Sequence, residues 1–150
     1  MKVLITGGAG LIGSNVVRHF VNLGYEVHVV DNLWRGRIEN LHYEGQEIID
    51  LKSQFHQYDL RDYENCLNAC KGMNAVIHLA DIVPGINFVF RNELFLYRAN
   101  IVMNSNMLDA AIQNKVQKYI YVGTACSYPE EMQLELNPPP FKEEDAYPAR

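Results

Sequence analysis

The chain opens with a short apolar run, Lys2-Val3-Leu4-Ile5-Thr6, that passes without a break into Gly7-Gly8-Ala9-Gly10-Leu11-Ile12-Gly13. No other feature restricts the fold as strongly. A continuous apolar run of this kind belongs in a sheet covered on both faces. Past the glycines, Leu11, Ile12, Val16, Val17, Phe20 and Val21 recur at helical spacing until Gly24. A strand that turns this sharply into a helix needs positions without a Cβ. The same turn sets the unpaired N–H groups and positive end of the helix beside a backbone that an anion can approach closely. Gly7, Gly10, Leu11, Ile12 and Gly13 are therefore expected to cradle a pyrophosphate, as in the first turn of a dinucleotide-binding unit.

The remaining pattern agrees with that start. Further strands are predicted at Glu26–Val30, Gln54–Tyr58, Ala75–Leu79 and Lys118–Val122, and helices at Asp62–Cys70 and Asn92–Asn114. Arg35–Tyr43 reads as a weak short helix or loop, and Pro84-Gly85-Ile86-Asn87 as a loop. Strands alternating with helices imply βαβ units and right-handed crossovers. The expected fold is α/β, a Rossmann-type doubly wound parallel sheet of strand order 3-2-1-4-5. A length of 150 residues suits one domain. Residues 1–127 are expected to form it. Residues 128–150, with Pro129, Pro138-Pro139-Pro140 and Pro148, read as an extended segment.

Charge and composition narrow the function. Thirteen basic against eighteen acidic side chains give a net charge of −5, which disfavours a partner rich in phosphate such as nucleic acid. No apolar run approaches the length of a membrane span. Three cysteines without a Cys-x-x-Cys pattern suggest reduced thiols and a cytoplasmic chain. Cys66 and Cys70 read as core residues, His78 as structural, and the histidines show no metal-ligand spacing. Asp31 ends the second strand, where a carboxylate accepts hydrogen bonds from the adenosine ribose and repels a 2′-phosphate. The expected cofactor is NAD rather than NADP, with Arg35 and Arg37 the residues that argue the other way.

Thr6-Gly7-x-x-Gly10-x-x-Gly13 is similar to the loop of the extended short-chain dehydrogenases/reductases, the NAD-dependent epimerase/dehydratase family. Further landmarks follow in order. Asp31-Asn32-Leu33 looks like the ribose segment of the nucleotide-sugar epimerases. Asp59-Leu60-Arg61-Asp62 looks like the adenine-contacting segment, and His78-Leu79-Ala80 like the fourth-strand motif along the cofactor. Asn100 matches a helix asparagine near the nicotinamide. The resemblance implies that Asn32, Asp59, Leu60, Leu79, Ala80 and Asn100 join the cofactor site. It also implies that the Thr124 hydroxyl bonds the sugar oxygen that becomes a carbonyl.

Thr124 is followed by Ala125-Cys126 rather than the Asp-Glu of the 4,6-dehydratases. Cys126-x-Tyr128-Pro129 resembles instead the GDP-mannose 3,5-epimerase and GDP-fucose synthase branches, whose cysteine is an acid/base beside a ketone. That role is chemically apt, because a carbonyl acidifies the neighbouring C–H and a thiol is readily tuned towards neutrality. The catalytic candidates are thus Thr124 and Cys126, and a GDP-sugar is the expected substrate.

The family's Tyr-x-x-x-Lys pair is missing from these residues. Lys52, Lys71, Lys115, Lys118 and Lys142 follow Ile48, Leu67, Ala111, Asn114 and Pro138 by four places. The chain accordingly reads as the front of a longer epimerase, with a homodimer contact expected on the helix around 92–114. A cofactor-binding module without turnover, or a GDP-fucose-synthase-like reductase, are the alternatives.

Overall fold

The computed structural model describes residues 1–124, 128–134 and 140–146. In chain order the elements are β1 (Lys2–Thr6), α1 (Leu11–Asn22), β2 (Glu26–Val30), β3 (His42–Tyr43), β4 (Gln46–Glu47), β5 (Phe55–His56), α2 (Tyr63–Cys70), β6 (Ala75–His78), α3 (Ile86–Arg91), α4 (Glu93–Gln113) and β7 (Lys118–Tyr121). Five strands form one parallel sheet in the order β5-β2-β1-β6-β7. Counting only the strands of this sheet, that order is 3-2-1-4-5.

β1 lies at the centre, and Val3, Leu4 and Ile5 are all fully buried. Alternation along the strand divides them between two cores. Leu4, Val30 and Val76 pack under α2 and α4 with Cys66, Cys70, Met103 and Met107. Val3, Ile5, Val27, Val29 and Ile77 pack under α1 with Val17 and Leu41. This two-sided burial is why β1 carries an apolar run rather than an alternating pattern. Asp62 starts α2 by accepting a hydrogen bond from the Glu64 N–H, which satisfies one of the donors left open at a helix start.

Four segments differ from the sequence reading. The third strand of the sheet is confined to Phe55–His56, because the Tyr58 N–H turns back onto the His56 carbonyl and takes the chain out of the ladder. β3 and β4 form an antiparallel hairpin with positive φ at both Glu44 and Gly45, the geometry of a type I′ turn. A glutamate stands where asparagine usually signals that turn. α3 begins immediately after Gly85, where a loop is predicted; six residues are too few to establish a helical period. Beyond β7, single 3-10 turns occupy Glu130–Gln133 and Glu143–Ala146, and the Tyr128 and Phe141 rings stack with centroids 4.8 Å apart.

Leu4 is buried at the centre of one core, so Leu4→Ala should lower the free energy of unfolding by about 2–5 kcal/mol. Urea denaturation followed by circular dichroism measures it.

Candidate functional site

The turn after β1 is braced from three sides. Gly7 adopts φ +67°, and its N–H donates to the Val30 carbonyl of β2. A Cβ on Gly7 would stand 2.9 Å from the Ala80 nitrogen, and one on Gly13 would stand 2.7 Å from the Gly8 Cα and overlap the Gly7 carbonyl. The start of α1 therefore lies directly against the turn. Gly10 precedes the helix and gives it no side-chain cap, and its first turn holds no acidic residue. The N–H groups there are left for a ligand, and the helix dipole favours an anionic one.

Asp31 directly follows β2 and is buried. Its carboxylate accepts hydrogen bonds from the Ala9 N–H at 3.0 Å and the Leu33 N–H at 2.8 Å. One carboxylate thus joins the glycine turn to the segment after β2. Each oxygen retains acceptor capacity for a hydroxyl. Gly36 packs so tightly over it that a Cβ there would come within 2.8 Å of both oxygens. The Ala9 carbonyl in turn accepts from the Arg37 N–H and the Asn40 side chain.

A cleft of about 790 Å³ runs along the C-terminal ends of the strands, the usual ligand position in doubly wound sheets. Gly7, Gly10, Leu11, Ile12 and Gly13 line its middle. Asp31, Asn32, Asp59 and Leu60 line the β2–β5 side, and Leu79 and Ala80 the β6 side. Asp59 is paired with Arg61, whose guanidinium holds its carboxyl below the usual range. Asp81 also faces the cleft, and burial raises its carboxyl.

The other sequence candidates are placed differently. Asn100 is turned onto the backbone of Ile82, accepting from its N–H at 2.9 Å and donating to its carbonyl at 3.3 Å. It thereby fixes the segment after β6. Thr124 is exposed, next to Gly123 of the cleft wall. Cys126 lies outside the described residues.

Several contacts across the cleft have no counterpart in the sequence pattern. Trp34 meets Phe88 edge-on, and Arg35 donates to the Val83 carbonyl, so the segments after β2 and β6 touch across the cleft. Tyr121, Asn104 and Met103 line the β7 end. Nothing in their spacing marks Asn104 and Tyr121 as neighbours, because two separate elements, α4 and β7, bring them together.

Cys66 and Cys70 are buried, and burial pushes their thiols up to about 12 and about 11. Such thiols are inert at neutral pH. His78 is likewise buried, which lowers its pKa from 6.5 and keeps the ring neutral. Among the described residues no cluster of His, Cys, Asp or Glu is arranged to hold a metal, and no helix is long and apolar enough to cross a membrane.

The profile of the NAD dependent epimerase/dehydratase family matches residues 3–150. The chain belongs to this family. GDP-mannose 3,5-epimerase of Arabidopsis thaliana is 34% identical over 149 residues, 99% of this chain and 37% of that protein. UDP-glucose 4-epimerase of Schizosaccharomyces pombe is 33% identical over 129 residues, 84% of this chain and 36% of that protein. Among solved structures, the UDP-glucose 4-epimerase of Thermus thermophilus in complex with NAD superposes with a TM-score of 0.67 at 32% identity, over 81% of this chain and 37% of that one. The UDP-N-acetylglucosamine 4-epimerase of Methanobrevibacter ruminantium superposes at 0.77 with 26% identity, over 96% of this chain and 43% of that one. The chain spans little more than a third of the length of the curated relatives it matches.

In this member of the epimerase/dehydratase family the glycine turn leaves no room for a side chain at its exit. Gly13→Ala should displace the start of α1 and weaken dinucleotide binding at least tenfold. Calorimetric titration of the folded variant, set beside the parent chain, measures the loss.

Proposed function

We propose that this chain is the NAD-binding part of a nucleotide-sugar epimerase. The observation that carries the reading is the continuity of the cleft from buried Asp31, past the uncapped start of α1, to the ends of β6 and β7. A dinucleotide has the same sequence of groups, a ribose diol, a pyrophosphate and a second nucleoside. The cleft's volume falls in the range of about 300–1,000 Å³ common for ligand sites. Asp31 holds the adenosine ribose and repels a 2′-phosphate. Of the two nearby cations that would favour NADP, Arg35 and Arg37, the first is engaged with the Val83 carbonyl.

NAD supplies hydride acceptance and return at C4 of the sugar. The proposed roles of this chain's residues are to bind and orient. Thr124 bonds the oxygen at C4. Cys126 exchanges the proton on the carbon beside the ketone, where a C–H is acidified by enolate delocalisation. The GDP-sugar assignment rests on Cys126-x-Tyr128 and on the likeness to GDP-mannose 3,5-epimerases. The reduced, buried Cys66 and Cys70 support a cytoplasmic setting.

Titration with NAD and NADP tests the cofactor. NAD should bind saturably and more tightly, and Asp31→Asn should erase the preference; tighter binding of NADP to the parent chain contradicts the reading. Because the 150 residues contain no Tyr-x-x-x-Lys, they should not epimerise a GDP-sugar by themselves, as an NMR assay of the sugar would reveal.

We also propose self-association through the helix around 92–114. α4 buries Leu96, Ala99, Met103 and Met107 on one side, yet exposes Leu94, Tyr97, Ile101 and Leu108 on the other at intervals of three, four and seven residues. Ile101→Glu should shift the chain towards monomer in sedimentation velocity. A parent chain that remains monomeric at high concentration rules this out.

A further inference from the structure

A chain of hydrogen bonds runs from the middle of the sheet to the β7 end of the cleft, and its direction follows from the chemistry of its first member. Thr6, fully buried at the end of β1, accepts hydrogen bonds at its hydroxyl oxygen from the Leu79 N–H at 3.2 Å and the Ala80 N–H at 3.1 Å. A hydroxyl has two lone pairs and one hydrogen. With both lone pairs engaged, it donates its hydrogen to His78 Nδ1, 2.7 Å away. That fixes the tautomer of His78, whose Nε2–H donates to Asn104 Oδ1 at 2.9 Å. The Asn104 amide then has only its nitrogen to offer on the far side, and Nδ2 donates to the Tyr121 phenol oxygen at 3.3 Å. The His78 and Tyr121 rings also stack, with centroids 6.2 Å apart and planes 27° apart.

Each member passes its hydrogen in one direction, so the phenol O–H of Tyr121 is the last donor. Tyr121 is more than half exposed and lines the cleft beside Asn104, Val122 and Gly123. This is the side opposite Asp31. A dinucleotide with its adenosine ribose on Asp31 and its pyrophosphate over the glycine turn brings its second nucleoside to this end.

We propose that Tyr121 is a ligand-binding residue that donates a hydrogen bond to an acceptor oxygen of the second nucleoside, with Asn104 and His78 as the positioning residues that hold its phenol oxygen. The inference rests on the dinucleotide reading of the cleft. It adds a polar contact on the nicotinamide side that comes from a strand residue. His78 contributes only while neutral, because an imidazolium has no lone pair to accept the Thr6 hydrogen.

Binding of NAD and of ADP, which lacks the second nucleoside, separates this role from a structural one. Tyr121→Phe removes one oxygen atom and should weaken NAD about three- to tenfold, the worth of one hydrogen bond, while leaving ADP unchanged. Asn104→Leu should produce the same selective loss, and the double variant should lose no more than either single one. Thermal melting confirms that each variant is folded. Parent affinity for NAD in Tyr121→Phe overturns the assignment, and so does an equal loss for NAD and ADP. A parent chain that binds neither nucleotide overturns the dinucleotide reading itself, and this assignment with it.

Discussion

The site depends on how closely the backbone of the first turn approaches itself and its neighbours. Gly13 lies against Gly7 and Gly8, and Gly7 against Ala80, at separations no Cβ tolerates. These approaches let α1 begin within a few residues of β1 and leave its uncapped N–H groups at the floor of the cleft. Everything else near the site supports that turn. Asp31 holds Ala9, Arg37 and Asn40 hold the Ala9 carbonyl, and the Gly7 N–H is fastened to β2.

Polar groups buried around the turn have partners, as a low-dielectric interior requires. Thr6, Ser14, Asp31 and His78 are the buried polar residues around the turn, and each bonds the backbone of a segment that reaches the cleft or a residue that lines it. Structure and binding are therefore not separable for them. The Asp31 carboxylate organises the turn through its bonds to Ala9 and Leu33. Asn100 acts one step further back, by fixing the segment after β6.

Much of this was legible in the chain. The apolar run of β1, the glycine spacing and the period of α1 place a tight glycine turn between strand and helix. Nearly every residue expected at the cofactor site lines the cleft, with Asn100 held one layer behind it. The short elements were not legible. α3 and the β3–β4 hairpin are too brief to establish a period, and Glu44 gives no sign that it will take a positive φ. The brevity of β5 was also hidden, because the turn of Tyr58 onto His56 is a backbone event with no side-chain signature.

The sequence by itself determined the fold class, the sheet's central strand, the glycine turn and the acidic residue that faces it. Those depend on period, on burial on both faces and on the absence of Cβ atoms, which are properties of neighbouring residues. Only the tertiary structure decided that Thr6, His78, Asn104 and Tyr121 form one directed chain, and that Trp34 and Arg35 reach the segment after β6. Those contacts join residues far apart in the chain. A hydrogen bond of about 3 Å has a direction only when both partners are fixed in space, and no local pattern supplies that.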